Sequence, residues 1–191
     1  MYKRQPRSIA VTAGDLRIHT CYAPNGRKVG TPPHAIKLAW FALYTAWLEM
    51  DREDDPNQFV LGDLNIAPTD LDIWDASRYR KRNLTSPPER AAFDALLADG
   101  ALVDSVRSRV GDERIYSWWN RRSDFYETDR GWRLDHVLAT PLIDARITAV
   151  SIDRAERGHR REKAAGVRHR SSDSEAKPSG ADHAPLVVDL G

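Results

Sequence analysis

Phe59-Val60-Leu61-Gly62-Asp63-Leu64-Asn65-Ile66-Ala67-Pro68-Thr69-Asp70 opens on three large apolar residues, stops at a glycine, and continues into a carboxylate and an amide two positions apart. An apolar run this short, bounded by Asp54-Asp55-Pro56-Asn57 on one side and Gly62 on the other, reads as a buried strand. On extended chain, residues two apart point the same way, so Asp63 and Asn65 share one side of the strand's mouth. Two meanings stay open for them. The pair acts on a substrate or a metal, or it forms an Asx-type turn that ends the strand.

Working outward, Ser8 to Thr12 and Leu16 to Tyr22 alternate apolar with polar around Ala13-Gly14-Asp15, the pattern of a β-hairpin. Ala23-Pro24-Asn25-Gly26 breaks the second strand into a loop. From His34 to Met50 the apolar residues recur at helical spacing. Downstream, Leu71 to Trp74 reads as one helical turn. Ser86-Pro87-Pro88-Glu89 is a helix start, with Ser86 as N-cap, proline at the first position and Glu89 three residues on. That helix runs to Ala98, with Gly100 as its stop. Further strands are expected at Ile115 to Trp119, Trp132 to Ala139, Arg146 to Ile152 and Pro185 to Leu190. Strands interspersed with helices predict a mixed α/β layered fold.

At 191 residues the chain has the length of one ordinary domain, and the expectation is a single domain over 1–191. A net charge of +1 neither demands nor excludes a nucleic-acid partner. The single cysteine, Cys21, rules out an internal disulfide and a cysteine zinc site, which favours a cytoplasmic setting. No apolar stretch is long enough for a membrane span, so no membrane partner is expected. Residues 154–180 stand apart. Between Arg154 and Arg170 there are seven Lys or Arg against two Glu, then a serine-rich tract, which reads as a disordered basic loop.

Three more segments could carry chemistry. Asp135 lies among Leu134, Val137 and Leu138, where a carboxylate needs a salt-bridge partner or a metal, because an unpaired charge costs several kcal/mol to bury, roughly. Asp182-His183 precedes the last strand; the histidine is either structural or a proton-handling group. Tyr22 closes a strand, as a core aromatic or as a phenol aimed at a phosphate. Carboxylates at three strand ends, with one amide and one imidazole, make a hard-oxygen site that selects Mg²⁺ or Mn²⁺ over zinc.

Taken in order, Tyr22-Ala23-Pro24-Asn25-Gly26, Gly62-Asp63-Leu64-Asn65-Ile66-Ala67-Pro68-Thr69-Asp70, Tyr116-Ser117-Trp118-Trp119, Arg130-Gly131-Trp132-Arg133-Leu134-Asp135-His136 and Asp182-His183-Ala184-Pro185 resemble the exodeoxyribonuclease III-like branch of the endonuclease/exonuclease/phosphatase superfamily, which includes abasic-site endonucleases. The resemblance implies a four-layered α/β sandwich of the DNase I-like type, two mixed sheets flanked by helices, here in partial form. It also implies Mg²⁺- or Mn²⁺-dependent phosphodiester hydrolysis on double-stranded DNA, at abasic sites or 3′ ends.

Carried over by residue, Asp63 activates water or helps hold the metal, Asn65 orients the phosphate, and His183 stabilises its developing charge with Asp135 orienting the imidazole. Asp182 approaches the metal, and Tyr22 reaches the phosphate or leaving group. Trp119, Trp132 and Leu134 resemble the wall that receives a flipped abasic sugar, with core packing as the alternative and as the expectation for Trp118. Arg27, Lys28, Arg121 and Arg122 lie on loops that could meet phosphates or simply solvent. The family's opening strand, with its asparagine and a metal-binding glutamate, has no counterpart here. The expectation is therefore an N-terminally truncated domain that pairs with the missing segment, or a catalytically impaired remnant that binds nucleic acid weakly. A phosphatase of small phosphoesters is the other reading.

Overall fold

The computed structural model describes residues 7–121, 124–157 and 181–191. Strands β1 (Ser8–Ala13) and β2 (Leu16–Tyr22) form the expected hairpin, turned at Gly14 with φ +63°. Helix α1 (Pro32–Asp54) then crosses to β3 (Gln58–Asp63), which pairs parallel to β2. The helix starts two residues before the periodic stretch because Pro32 and Pro33 fill its first positions, where no amide donor is needed. After a 3₁₀ turn at Asp70–Asp72 come the short α2 (Ala76–Tyr79) and α3 (Pro87–Leu97), the latter with the full Ser86–Glu89 capping box. β4 (Val103–Asp104), α4 (Arg107–Val110), β5 (Asp135–Ala139), α5 (Pro141–Asp144), β6 (Ile147–Ile152), α6 (Arg154–Arg157) and β7 (Leu186–Leu190) complete the described elements.

Five strands make one mixed sheet in the order β1-β2-β3-β5-β4, and β6 with β7 makes a second. Alternation along β3 and β5 sends neighbouring side chains to opposite faces. Val60 and Leu138 pack with Phe41, Tyr44 and Leu48 of α1 and with Phe93 and Leu96 of α3. Phe59, Val137 and Ala139 face the other way, against Ile147 and Val150 of β6 and Leu186 and Val188 of β7. Helices, sheet and sheet are thus stacked as layers of the DNase I-like sandwich.

Two expected strands are shorter than their patterns. Ile115 to Trp119 forms no ladder, only isolated bridges from Trp118 to Trp132 and to His183. Trp132 to Leu134 likewise stays outside β5. The reason is where the donors go: Leu134 N and Asp135 N both bind the Ser117 hydroxyl at 3.1 Å, and Arg133 N binds the Asp72 carbonyl at 2.9 Å. The loop expected from residue 154 begins instead with helix α6, and residues 158–180 lie outside the described residues.

Candidate active site

The register of the large sheet assembles the site. Tyr22 at the end of β2 pairs with Asp63 at the end of β3, and Asp63 pairs with Asp135 at the start of antiparallel β5. Three sequence candidates therefore stand in one row at one end of the sheet. Gly62 is required just beneath them. Its φ is +137°, and an added Cβ would lie 2.0 Å from the Cys21 carbonyl oxygen.

Asp63 accepts from Asn65 N at 2.8 Å and from Asn65 Nδ2 at 3.0 Å. The turn reading of this pair is the one these bonds show: an Asx turn ends the strand and fixes the carboxylate. Asn65 sits in the left-handed region at φ +52°, which asparagine tolerates better than most residues. Its side chain is buried, donating to the Ala23 carbonyl at 3.1 Å and accepting from Asn25 Nδ2 at 3.0 Å, so it holds Asp63 in place. Asn83 Nδ2 in turn donates to Asn25 Oδ1 at 3.0 Å.

Asp135 meets His183, not an arginine: His183 Nδ1 lies 2.8 Å from Asp135 Oδ2. The arginine next to it, Arg133, is fully buried between Asp72 and Asp104, at 2.7 Å from each. Burial disfavours charge on His183, yet the Asp135 bond and the surrounding carboxylates win and raise its pKa. Burial, followed by the charge of Asp135, pushes the Asp63 carboxyl up to about 6, against the Asn65 bond and the charges of His183 and Lys37. Asp182 accepts from Trp118 Nε1 at 3.2 Å and faces Arg121 at 3.6 Å. Its pKa is lowered: burial opposes this, but the Trp118 bond, His183 and Arg121 prevail. The side chains of residues 63, 135 and 182 all act on the one imidazole of His183. Tyr22 is half exposed, with the Arg7 guanidinium 5.3 Å above its ring.

Residues 3–183 match the model of the Endonuclease/Exonuclease/phosphatase family. The chain belongs to that family. It is 30% identical over 153 residues to an exodeoxyribonuclease of Bacillus subtilis, an alignment covering 79% of this chain and 59% of that protein. A solved structure of the 3′ phosphatase NExo from Neisseria, bound to product DNA hairpin, superposes with a TM-score of 0.86 at 28% identity, covering 100% of this chain and 66% of that one. An AP endonuclease from Archaeoglobus fulgidus gives 0.80 at 25% identity, covering 96% and 65%. The chain thus spans somewhat under two thirds of each of these relatives.

Burial corrects the expected sugar-binding wall of this family member. Trp119, at 0% exposed, packs on Tyr126 and Ala184 in the core. Trp132 and Leu134 are buried with Ala67 and Ile73. None of the three offers a face to a ligand. Trp118, expected in the core, is the partly exposed member of the pair, its ring edge-on to Trp132 and its indole nitrogen on Asp182. Alternation says which tryptophans share a side; only packing of distant segments says which side is covered. Arg27 and Arg121 are exposed as expected, and Arg122 lies outside the described residues.

Sequence reasoning missed Asn25, Ser117 and Lys37. The signal for Lys37 was present: the buried stripe of α1 is His34, Lys37, Phe41, Tyr44 and Leu48, and a lysine on such a stripe must have a buried partner.

Proposed function

We propose that this chain carries the catalytic face of a divalent-metal-dependent phosphodiesterase that acts on double-stranded DNA in repair, at 3′ ends or abasic sites. The observation that carries the reading is the Asp135–His183 pair standing beside Asp63 at one sheet end. Hydrolysis of a phosphodiester needs a proton acceptor for water, a cation for the developing phosphate charge and a held phosphate. Asp63, fixed by Asn65 at the end of the sheet, is the carboxylate placed to take the proton of an attacking water or to help hold the cation. Against its burial, Asp135 raises the pKa of His183 through Nδ1, which leaves Nε2 to face a phosphate oxygen. The Tyr22 hydroxyl, exposed in the same row, reaches the phosphate or leaving oxygen.

Among the described residues no group of three or more His, Cys, Asp or Glu is arranged to hold a metal alone. Asp63 and Asp182 are the residues that would hold Mg²⁺ or Mn²⁺, since Mg²⁺ usually takes only one or two carboxylates. The like-charge repulsion at Asp63 and Asp135 is what such a cation relieves. When bound, it supplies charge neutralisation at the phosphate. Exposed Arg27 and Lys28, with the basic stretch Arg78 to Arg82 reached through the Asn25–Asn83 bond, give the strand backbone a positive track.

An apolar cleft of about 660 Å³ lies between the two sheets, from Leu16, Phe59 and Leu61 to Leu186 and Val188, with Asp135 and His183 also in its lining. In this reading a further segment of the family fold packs there. Supplying in trans the part of the Bacillus subtilis relative that this chain does not cover should raise the melting temperature; no shift removes this part of the reading.

The test is cleavage of duplexes bearing a 3′ phosphate, a 3′ hydroxyl end or an abasic site, with Mg²⁺ or Mn²⁺. Turnover should fall by about 100-fold or more in Asp63→Asn and His183→Gln. Equal turnover in the chain and both variants sinks the proposal.

A further inference from the structure

Beneath the row of Tyr22, Asp63 and Asp135 lies a charged pair that the chemistry above does not use. Lys37 of α1 and Glu89 of α3 are both fully buried, with Lys37 Nζ 2.5 Å from Glu89 Oε1. Its other two donors do not stay in the helix layer. Nζ also donates to the Asn65 carbonyl at 2.5 Å and towards the Asn25 carbonyl at 3.4 Å. An ammonium has three donors and no acceptor, so all three directions are used.

Glu89 is equally occupied. Oε1 accepts from Leu84 N at 3.0 Å, and Oε2 from Ser86 N and Oγ at 3.0 and 2.6 Å. His34 Nε2 lies 4.0 Å from Oε2, and Phe41 of α1 and Phe93 of α3, one turn further along each helix, belong to the apolar core. A pair that only joined two helices could be exchanged there for apolar side chains at little or no loss of stability. Apolar side chains could not satisfy two loop carbonyls. Gly26 adds an independent sign of how closely the loop sits on the lysine: at φ +81°, a Cβ there would lie 2.8 Å from Lys37 Cδ.

Each captured carbonyl belongs to a residue whose side chain leads to Asp63. Asn25 Nδ2 binds Asn65 Oδ1, and Asn65 Nδ2 binds Asp63 Oδ2. We propose that Lys37 is a positioning residue, a buried cation whose bonds to the Asn65 and Asn25 carbonyls lock the amide chain that aims the Asp63 carboxylate. This inference rests on the hydrolase reading for its catalytic consequence, and on geometry alone for the locking of the loop. The loops that carry Asn25 and Asn65 are thereby tied to the helix layer.

The experiment compares the charge-free pair Lys37→Met/Glu89→Gln with Glu89→Gln alone and with Leu96→Ala, a core lesion in the same layer. Metal-free ¹⁵N NMR reads the side-chain amide signals of Asn25 and Asn65, and steady-state kinetics reads the DNA substrate. In the double variant the two amide signals should move to the position of a free amide, with kcat down about 100-fold and KM within about threefold. Glu89→Gln strands the buried ammonium without its counter-ion, so it should lower the melting temperature while moving the amide signals, and lowering kcat, less than the Lys37 variant. Leu96→Ala should lose stability with its signals unmoved. If the double variant does not fold, Lys37→Gln replaces it with the same expected fingerprint. Unmoved amide signals in the Lys37 variant, or an equal loss of kcat in all three, overturn the inference. A wild-type chain that cleaves nothing overturns the hydrolase reading instead, while the amide signals still decide the role of Lys37.

Discussion

At the scale of single residues, the site combines fixed geometry with unfavourable charge. Asp63 stands next to Asp135 and is partly desolvated, so its ionised form is costly. A folded-state pKa raised from 3.8 to about 6 means the native chain binds a proton more readily than the unfolded one, and stability falls as pH rises through that range. Removing the charge should therefore stabilise the fold. Asp63→Asn, which keeps an acceptor for Asn65 N, is expected to melt higher than wild type at pH 8 and no higher at pH 4. A lower melting temperature at pH 8 would show that the carboxylate's bonds outweigh its repulsion. Cys21 is the opposite case, a group kept silent: burial pushes its thiol up to about 12. Native protein at pH 8 should resist alkylation by iodoacetamide for hours and react within minutes in urea. Rapid native labelling would place Cys21 outside the core.

At the scale of elements, the functional side chains are placed by ends of strands and starts of helices. Glu89 is the N3 residue of the Ser86 capping box, so one carboxylate both caps α3 and anchors Lys37 of α1. Ser86→Ala removes a donor to a buried carboxylate as well as a cap, and should cost about 1–2 kcal/mol in urea unfolding. A change below a few tenths would mean that the cap is dispensable. The hairpin, α1, β3 and α3 were legible in the sequence because periodicity and turn chemistry are local. The strands expected at 115–119 and 132–134 were not, because the Ser117 hydroxyl and the Asp72 carbonyl, far apart in sequence, take the donors a ladder would have used.

At the scale of the whole molecule, a buried ionic cluster ties distant segments together. Arg133 is buried between Asp72 and Asp104, with Arg107 also on Asp72. Burial opposes ionisation of both carboxylates, but the arginines prevail and hold their pKa values below the ordinary range. The sign follows directly. The unfolded chain takes up these protons first, so the stabilisation is complete above the unfolded pKa of about 3.9 and is lost as pH falls through the lower folded values. Arg133→Met should therefore cost about 3–5 kcal/mol at pH 7, and less below pH 4, where the stranded carboxylates protonate. A penalty that does not shrink in acid would assign the loss to packing instead of charge. No described helix is long and apolar enough to cross a membrane.

The amino-acid sequence by itself determined the family motifs, the order of most elements and the identities of Tyr22, Asp63, Asn65, Asp135, Asp182 and His183 as site candidates. Those features are written in neighbouring residues, where spacing, caps and turns act over a few bonds. Tertiary structure alone decided that Trp118 and not Trp119 is the partly exposed indole, that Asp135 pairs with His183 while Arg133 takes Asp72 and Asp104, and that Lys37 reaches Asn65. Each of these depends on which distant segment covers a surface or completes a buried ion pair. Desolvation is paid or relieved only when the chain has closed on itself.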